Sequence, residues 1–109
     1  MRSRKDAAEE RVIEINRIEL AEIASKKREE KILEFYESNK ENIEKSAESG
    51  YTGLLVTLEG LGKELKSALM AEEARLSEII SEVDLELKRS KFLITDIEYI
   101  SGAVFSWIV

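Results

Sequence analysis

Not one proline interrupts the chain, and that absence constrains the fold more than any residue present. Proline ends or kinks a helix, so nothing here forbids very long uninterrupted ones. Glycine stands only at 50, 53, 60, 62 and 102, which leaves residues 1–49 free of both helix breakers. Ser49-Gly50-Tyr51-Thr52-Gly53 is the punctuation near mid-chain. Gly50 can take the left-handed conformation that closes a helix, and Thr52 can cap the next one. The pattern predicts one all-α domain over residues 1–109, an antiparallel helical hairpin with long arms. Its parts are an arm over 5–48, a turn over 49–53 and an arm over 54–109.

Composition supports helix and removes much chemistry. Ala, Leu, Ile, Glu, Lys and Arg dominate, all of them compatible with helix. With no Cys there is no disulfide framework, thiol nucleophile or thiolate metal site. With no His there is no Ser-His-Asp triad, zincin motif or imidazole switch. Abundant Glu and Lys without Gln is a bias shared by heat-adapted and designed sequences. The net charge of −6 argues against a duplex-DNA binder working through a basic face.

No uncharged stretch approaches the roughly 20 residues that span a bilayer. Met1-Arg2-Ser3-Arg4-Lys5 is not followed by an apolar core, so it does not read as a signal peptide. The expectation is a cytoplasmic protein, with leaderless secretion or a place in a virion left open.

Within the first arm the apolar residues change face. Val12, Ile13, Ile15, Leu20, Ile23 and Ala24 centre about 150° away from Ile32, Leu33, Tyr36, Ile43 and Ala47 at 100° per residue. Between them run six charges, Lys26 to Lys31. The arm therefore reads as one helix whose buried face changes partner along its length.

In the second arm a 4-3 spacing joins Leu76, Ile80, Val83, Leu87, Ser90, Ile94, Ile97, Ser101, Val104 and Ile108. Upstream, Leu54, Leu58, Leu61 and Leu65 keep the same spacing, and Leu69 follows after a step that resembles a stutter. Such a seam predicts coiled-coil-like packing into an oligomeric helical bundle. Thr95-Asp96-Ile97-Glu98 fits a capping box, which allows a break near 90–95 and a third helix.

The arms are unequal, about 66 Å against about 84 Å at the helical rise. The overhang is the most apolar part of the sequence, with no charged side chain after Glu98. Phe92, Ile97, Ile100, Val104, Phe105, Trp107 and Ile108 are the predicted oligomer or partner interface, with aromatic anchors. Homo-oligomerisation, a dimer first, is the expectation, and fold-back as a third helix is the alternative. Another protein could take the same surface.

Two stretches resemble known families. Leu58-Glu59-Gly60-Leu61-Gly62-Lys63-Glu64-Leu65 is similar to the first acidic motif of MazG-type nucleotide pyrophosphohydrolases, which implies a magnesium site. The second motif needs Glu and Asp three apart, whereas Glu78 and Asp84 are six apart, so no enzyme, metal or cofactor is expected. Tyr51-Thr52-Gly53 with Phe92-Leu93-Ile94-Thr95-Asp96 resembles the turn and downstream motif of WXG100-type secreted helical hairpins. The basic N-terminal arm leaves a nucleic-acid accessory role as a further alternative, though Asp6, Glu9 and Glu10 follow it closely. The leading expectation is a non-catalytic assembly or protein-interaction module.

Overall fold

A computed structural model describes the backbone of residues 2–108 and the side-chain surroundings of residues 16–108. Helix α1 runs Arg2–Glu48, where neither Pro nor Gly intervenes. It closes in a Schellman motif. The Tyr51 N–H reaches the Ser46 carbonyl at 3.0 Å, the Gly50 N–H reaches Ala47 at 2.9 Å, and Gly50 has φ +91°. Only glycine takes that φ without steric cost. The Ser46 hydroxyl then donates to the Gly53 carbonyl, turning the chain directly into a strand.

The second arm is not a helix, and the all-α hairpin, coiled coil and helical bundle are overturned. Residues 53–106 form strand β1 (Gly53–Thr57), helix α2 (Lys63–Ala71), a 3-10 turn (Glu73–Arg75) and one-turn helix α3 (Leu76–Ile79). Strands β2 (Asp84–Lys91) and β3 (Glu98–Ser106) follow. The fold is α+β: a three-stranded antiparallel sheet in the order β1-β3-β2, with the helices on one side.

The physical reason lies in shared residues. Val83-Asp84-Leu85-Glu86-Leu87-Lys88 alternates apolar and polar, the period of a strand with one buried face. Val83 and Leu87 also satisfy a 4-3 helical spacing, so both templates count them, but only alternation explains Leu85. Gly60 breaks the supposed helix early, with φ +84° in a turn where the Leu61 N–H reaches the Leu58 carbonyl. The stretch Tyr99–Trp107 is rich in β-branched and aromatic residues, which suit a pleated surface.

Register sorts the side chains. Leu54, Phe105 and Leu85 align across the sheet, as do Val56, Ala103 and Leu87, and all six face the helices. Against them pack Ile32, Phe35, Tyr36 and Ile43 of α1 with Leu69, Leu76 and Ile80. Phe105 is fully buried, its ring 5.4 Å from Phe35 and 6.0 Å from Tyr36. Several seam residues thus reach the core, but as three strands and two short helices rather than one helical stripe. Leu58, Leu76 and Ile80 are buried, and Leu65 and Val83 are half-buried. Leu61 is exposed, and Ile94 stands clear of everything.

The other sheet face carries Leu55, Val104, Glu86, Lys88 and Gly102, and among the described residues no helix packs over it. A bulge falls where Lys88 pairs with Gly102 but Arg89 pairs with Ile100. Ser101 is the extra residue, held by its hydroxyl 2.7 Å from that of Ser90 and by its carbonyl on the Leu58 N–H. Beyond it β2 and β3 continue as a two-stranded ribbon. The molecule measures 69 × 38 × 23 Å with a radius of gyration of 19.1 Å. A compact chain of this length would have about 13 Å, so α1 protrudes as an arm.

Candidate functional site

Three features stand out from the body: the end of the β2–β3 ribbon, the exposed part of α1, and the ionic joint where α1 meets the 3-10 turn.

The ribbon turns at residues 92–97, closed by the Phe92 N–H on the Ile97 carbonyl at 3.3 Å. Leu93 and Ile94 at the tip are fully exposed, and Ile97, Phe92 and Tyr99 are exposed below them. The rings of Phe92 and Tyr99 stack at 4.5 Å, which stiffens the ribbon just behind its tip. A groove of about 590 Å³ runs along this apolar end. A smaller cleft of about 290 Å³ lies at its base, between Tyr99, Ser101, Thr57 and Lys66. Asp96 and Lys91 are the ionisable residues nearest the tip in sequence, so the end is close to neutral.

The arm presents Ile18, Leu20 and Ile23 to solvent. Among the described residues, α1 buries large apolar side chains in the body from Ile32 onward. At the junction, Glu72 is 5% exposed yet charged. Arg28 donates to it at 2.9 Å and Arg75 at 2.7 Å, while Arg75 also reaches Glu29 at 2.6 Å. The Arg28 hydrogen bond, working against burial and helped by Arg75, holds the Glu72 carboxyl below its ordinary value. The partners Glu29 and Glu72 raise Arg75 in turn.

On the next turns of α1, the Tyr36 hydroxyl donates to Glu82, and Lys40 lies near the same carboxylate at 3.8 Å. Burial, with Glu82 second, pushes the Tyr36 phenol up to about 12. These contacts tie the inner part of α1 to the body.

The predicted interface residues are divided by the structure. Phe92 and Ile97 are brought together at the ribbon tip, joined by Ile94 from the supposed seam, by Tyr99 from the aromatic residues near the end of the sequence, and by Leu93, which belongs to no predicted face. Phe105 lies in the core of the central strand, and Ile100 and Val104 are half-buried in the same strand. Trp107 is half-buried, its indole N–H donating to the Tyr51 carbonyl at 3.0 Å. Ile108 is exposed but separate from the tip. The signal that could have found Leu93 is an apolar pair beside the turn-forming Thr95-Asp96, framed by two stretches of strand-like alternation.

In the MazG-like stretch, Glu64 is paired with Lys31 at 2.8 Å. Among the described residues no acidic cluster could hold a metal ion, and no helix is long and apolar enough to cross a membrane. The motifs resembling the WXG100 type fall at the α1–β1 turn and the ribbon tip, without the second helical arm of that architecture. No protein family matches the chain, and no curated protein or solved structure is detectably similar to it.

Proposed function

We propose that this chain is a non-catalytic protein-interaction module whose α+β body presents the β2–β3 ribbon tip to a partner protein. The observation that carries this reading is the pair Leu93 and Ile94, fully in water on a stiffened ribbon with three more apolar side chains behind them. Leaving large aliphatic side chains hydrated forgoes about 1.5–3 kcal/mol each relative to burial. A contiguous patch of this kind on a small domain marks a place that another surface covers. The arm supplies reach, carrying Leu20 and Ile23 away from the body as a second, weaker contact.

A photo-crosslinking side chain at position 93, compared with one at exposed Glu59, tests the reading in the native host. Discrete adducts from position 93 that vanish in an Ile94→Ser background support it. Equal adducts from both positions, or none from 93, would sink it.

A further inference from the structure

We propose that the outer edge of β2 pairs with the same edge of a second copy of this chain, forming a twofold, six-stranded antiparallel sheet centred on Leu87. This extends the interaction reading, on which it rests, by naming one partner and one register. β2 is an edge strand of eight residues. Among the described residues its backbone hydrogen bonds go only to β3 and the ribbon turn. An edge left so is a template for another strand.

The side chains select how the copies meet. Asp84, Glu86, Lys88 and Ser90 share the uncovered face, as their partners Ser106, Val104, Gly102 and Tyr99 show. The strand is acidic in its first half and basic in its second, so it is complementary to itself when reversed. In a continuous sheet facing residues lie on the same face, so pairing registers change in steps of two. Centring on Glu86 sets Glu86 against its own copy, although each Asp84 then faces the second copy's Lys88; centring on Lys88 sets Lys88 against its own copy. Centring on Leu87 places each Glu86 opposite the second copy's Lys88, Asp84 opposite Ser90, and Leu87 against Leu87. Opposite charges facing across strands favour pairing, and like charges disfavour it. Of these three registers, only the one centred on Leu87 sets no like charges against each other, and the twofold axis repeats its Glu86–Lys88 pair.

The opposite edge offers less. β1 has five residues and no charge, and the Ser46 hydroxyl already occupies the Gly53 carbonyl there. Edge charges usually keep sheets apart, but a uniform sign does that, whereas here the signs are sorted along the strand.

Light scattering and sedimentation over a concentration series test the proposal, with circular dichroism confirming that each variant folds. The full chain is expected to approach twice its 12.4 kDa mass. Glu86→Lys should weaken association by about tenfold or more. The exchange Glu86→Lys with Lys88→Glu should restore it, because the register is complementary with the signs reversed. A wild-type chain that stays monomeric, a dimer indifferent to Glu86→Lys, or an exchange that fails to rescue would each overturn the proposal. A dimer lost instead on Leu93→Ser with Ile94→Ser would overturn the edge pairing while leaving the ribbon-tip reading standing. Position-93 adducts to a different protein alongside a monomeric wild type would do the same.

Discussion

The two parts of α1 share one backbone and little else. From Ile32 onward the helix is part of the core, with Ile32, Phe35, Tyr36 and Ile43 buried against the sheet. Before Arg28 its described apolar side chains, Ile18, Leu20 and Ile23, stand in water. A helix buried on one face is stabilised by tertiary packing, while one in solvent relies on propensity and local pairs. The difference teaches that the six-charge stretch between them is a boundary. It hosts the Arg28, Glu29, Glu72 and Arg75 joint and separates a structural half from a projecting one.

The largest test of this contrast is in the core. Phe35→Ala should cost about 3–5 kcal/mol and Ile32→Ala about 2–5 kcal/mol, read as lowered denaturant midpoints. Comparable losses from Ile23→Ala would break the comparison, since a surface change of that kind belongs within about 0.5 kcal/mol. At the joint, Glu72→Gln should lower stability by about 1–2 kcal/mol through weakened charge-assisted hydrogen bonds.

That joint also has a pH signature. The folded carboxyl of Glu72 sits below its ordinary value of 4.5, so its contribution is present above that value and fades as pH falls through the lowered one. Melting curves of wild type and Glu72→Gln should therefore converge in acid. A constant gap down to pH 2 would remove the charge from the account.

Tyr36 sharpens the picture at the other extreme. Its phenol is raised to about 12, so the stability it contributes is full below the ordinary value of 10.0 and is lost as pH rises through 12. Absorbance titration should show Tyr36 ionising late, and Glu82→Gln should bring that ionisation partly down. The smallest expected effect is dynamic: amide exchange at residues 18–24 should be faster than at 32–43, as few packed contacts protect the arm.

Much of α1 was legible because helix needs only a local rule. The absence of breakers to Gly50 was plain in the residues, although Phe35 escaped the second apolar set and Leu33 did not belong in it. Of the first set, Val12, Ile13 and Ile15 lie outside the described side chains, and Leu20 and Ile23 are exposed rather than buried on a second partner. The body was misread because strand and helix templates overlap when apolar residues are dense. Leu54, Leu58 and Leu65 fit a heptad, yet Gly60 and Gly62 between them mark a turn. What places Phe105 beside Phe35 is a pairing between segments some seventy residues apart, and no local period encodes it. The site was half legible. Phe92, Ile94 and Ile97 were singled out for their apolar character but assigned to helix faces, since an apolar turn runs against the usual polar chemistry of loops.

The strand order has a consequence for how this protein comes off the ribosome. The middle strand β3 is the last of the three in chain order, so β1 and β2 emerge with nothing to pair with. Throughout that interval α1 can coil, but Ile32, Phe35 and Tyr36 have no Phe105 to cover them. The sheet and the core must then assemble together once β3 is released, in a single late event built on distant contacts. From the time α1, β1 and β2 are made until β3 joins them, the chain displays more apolar surface than the folded molecule does.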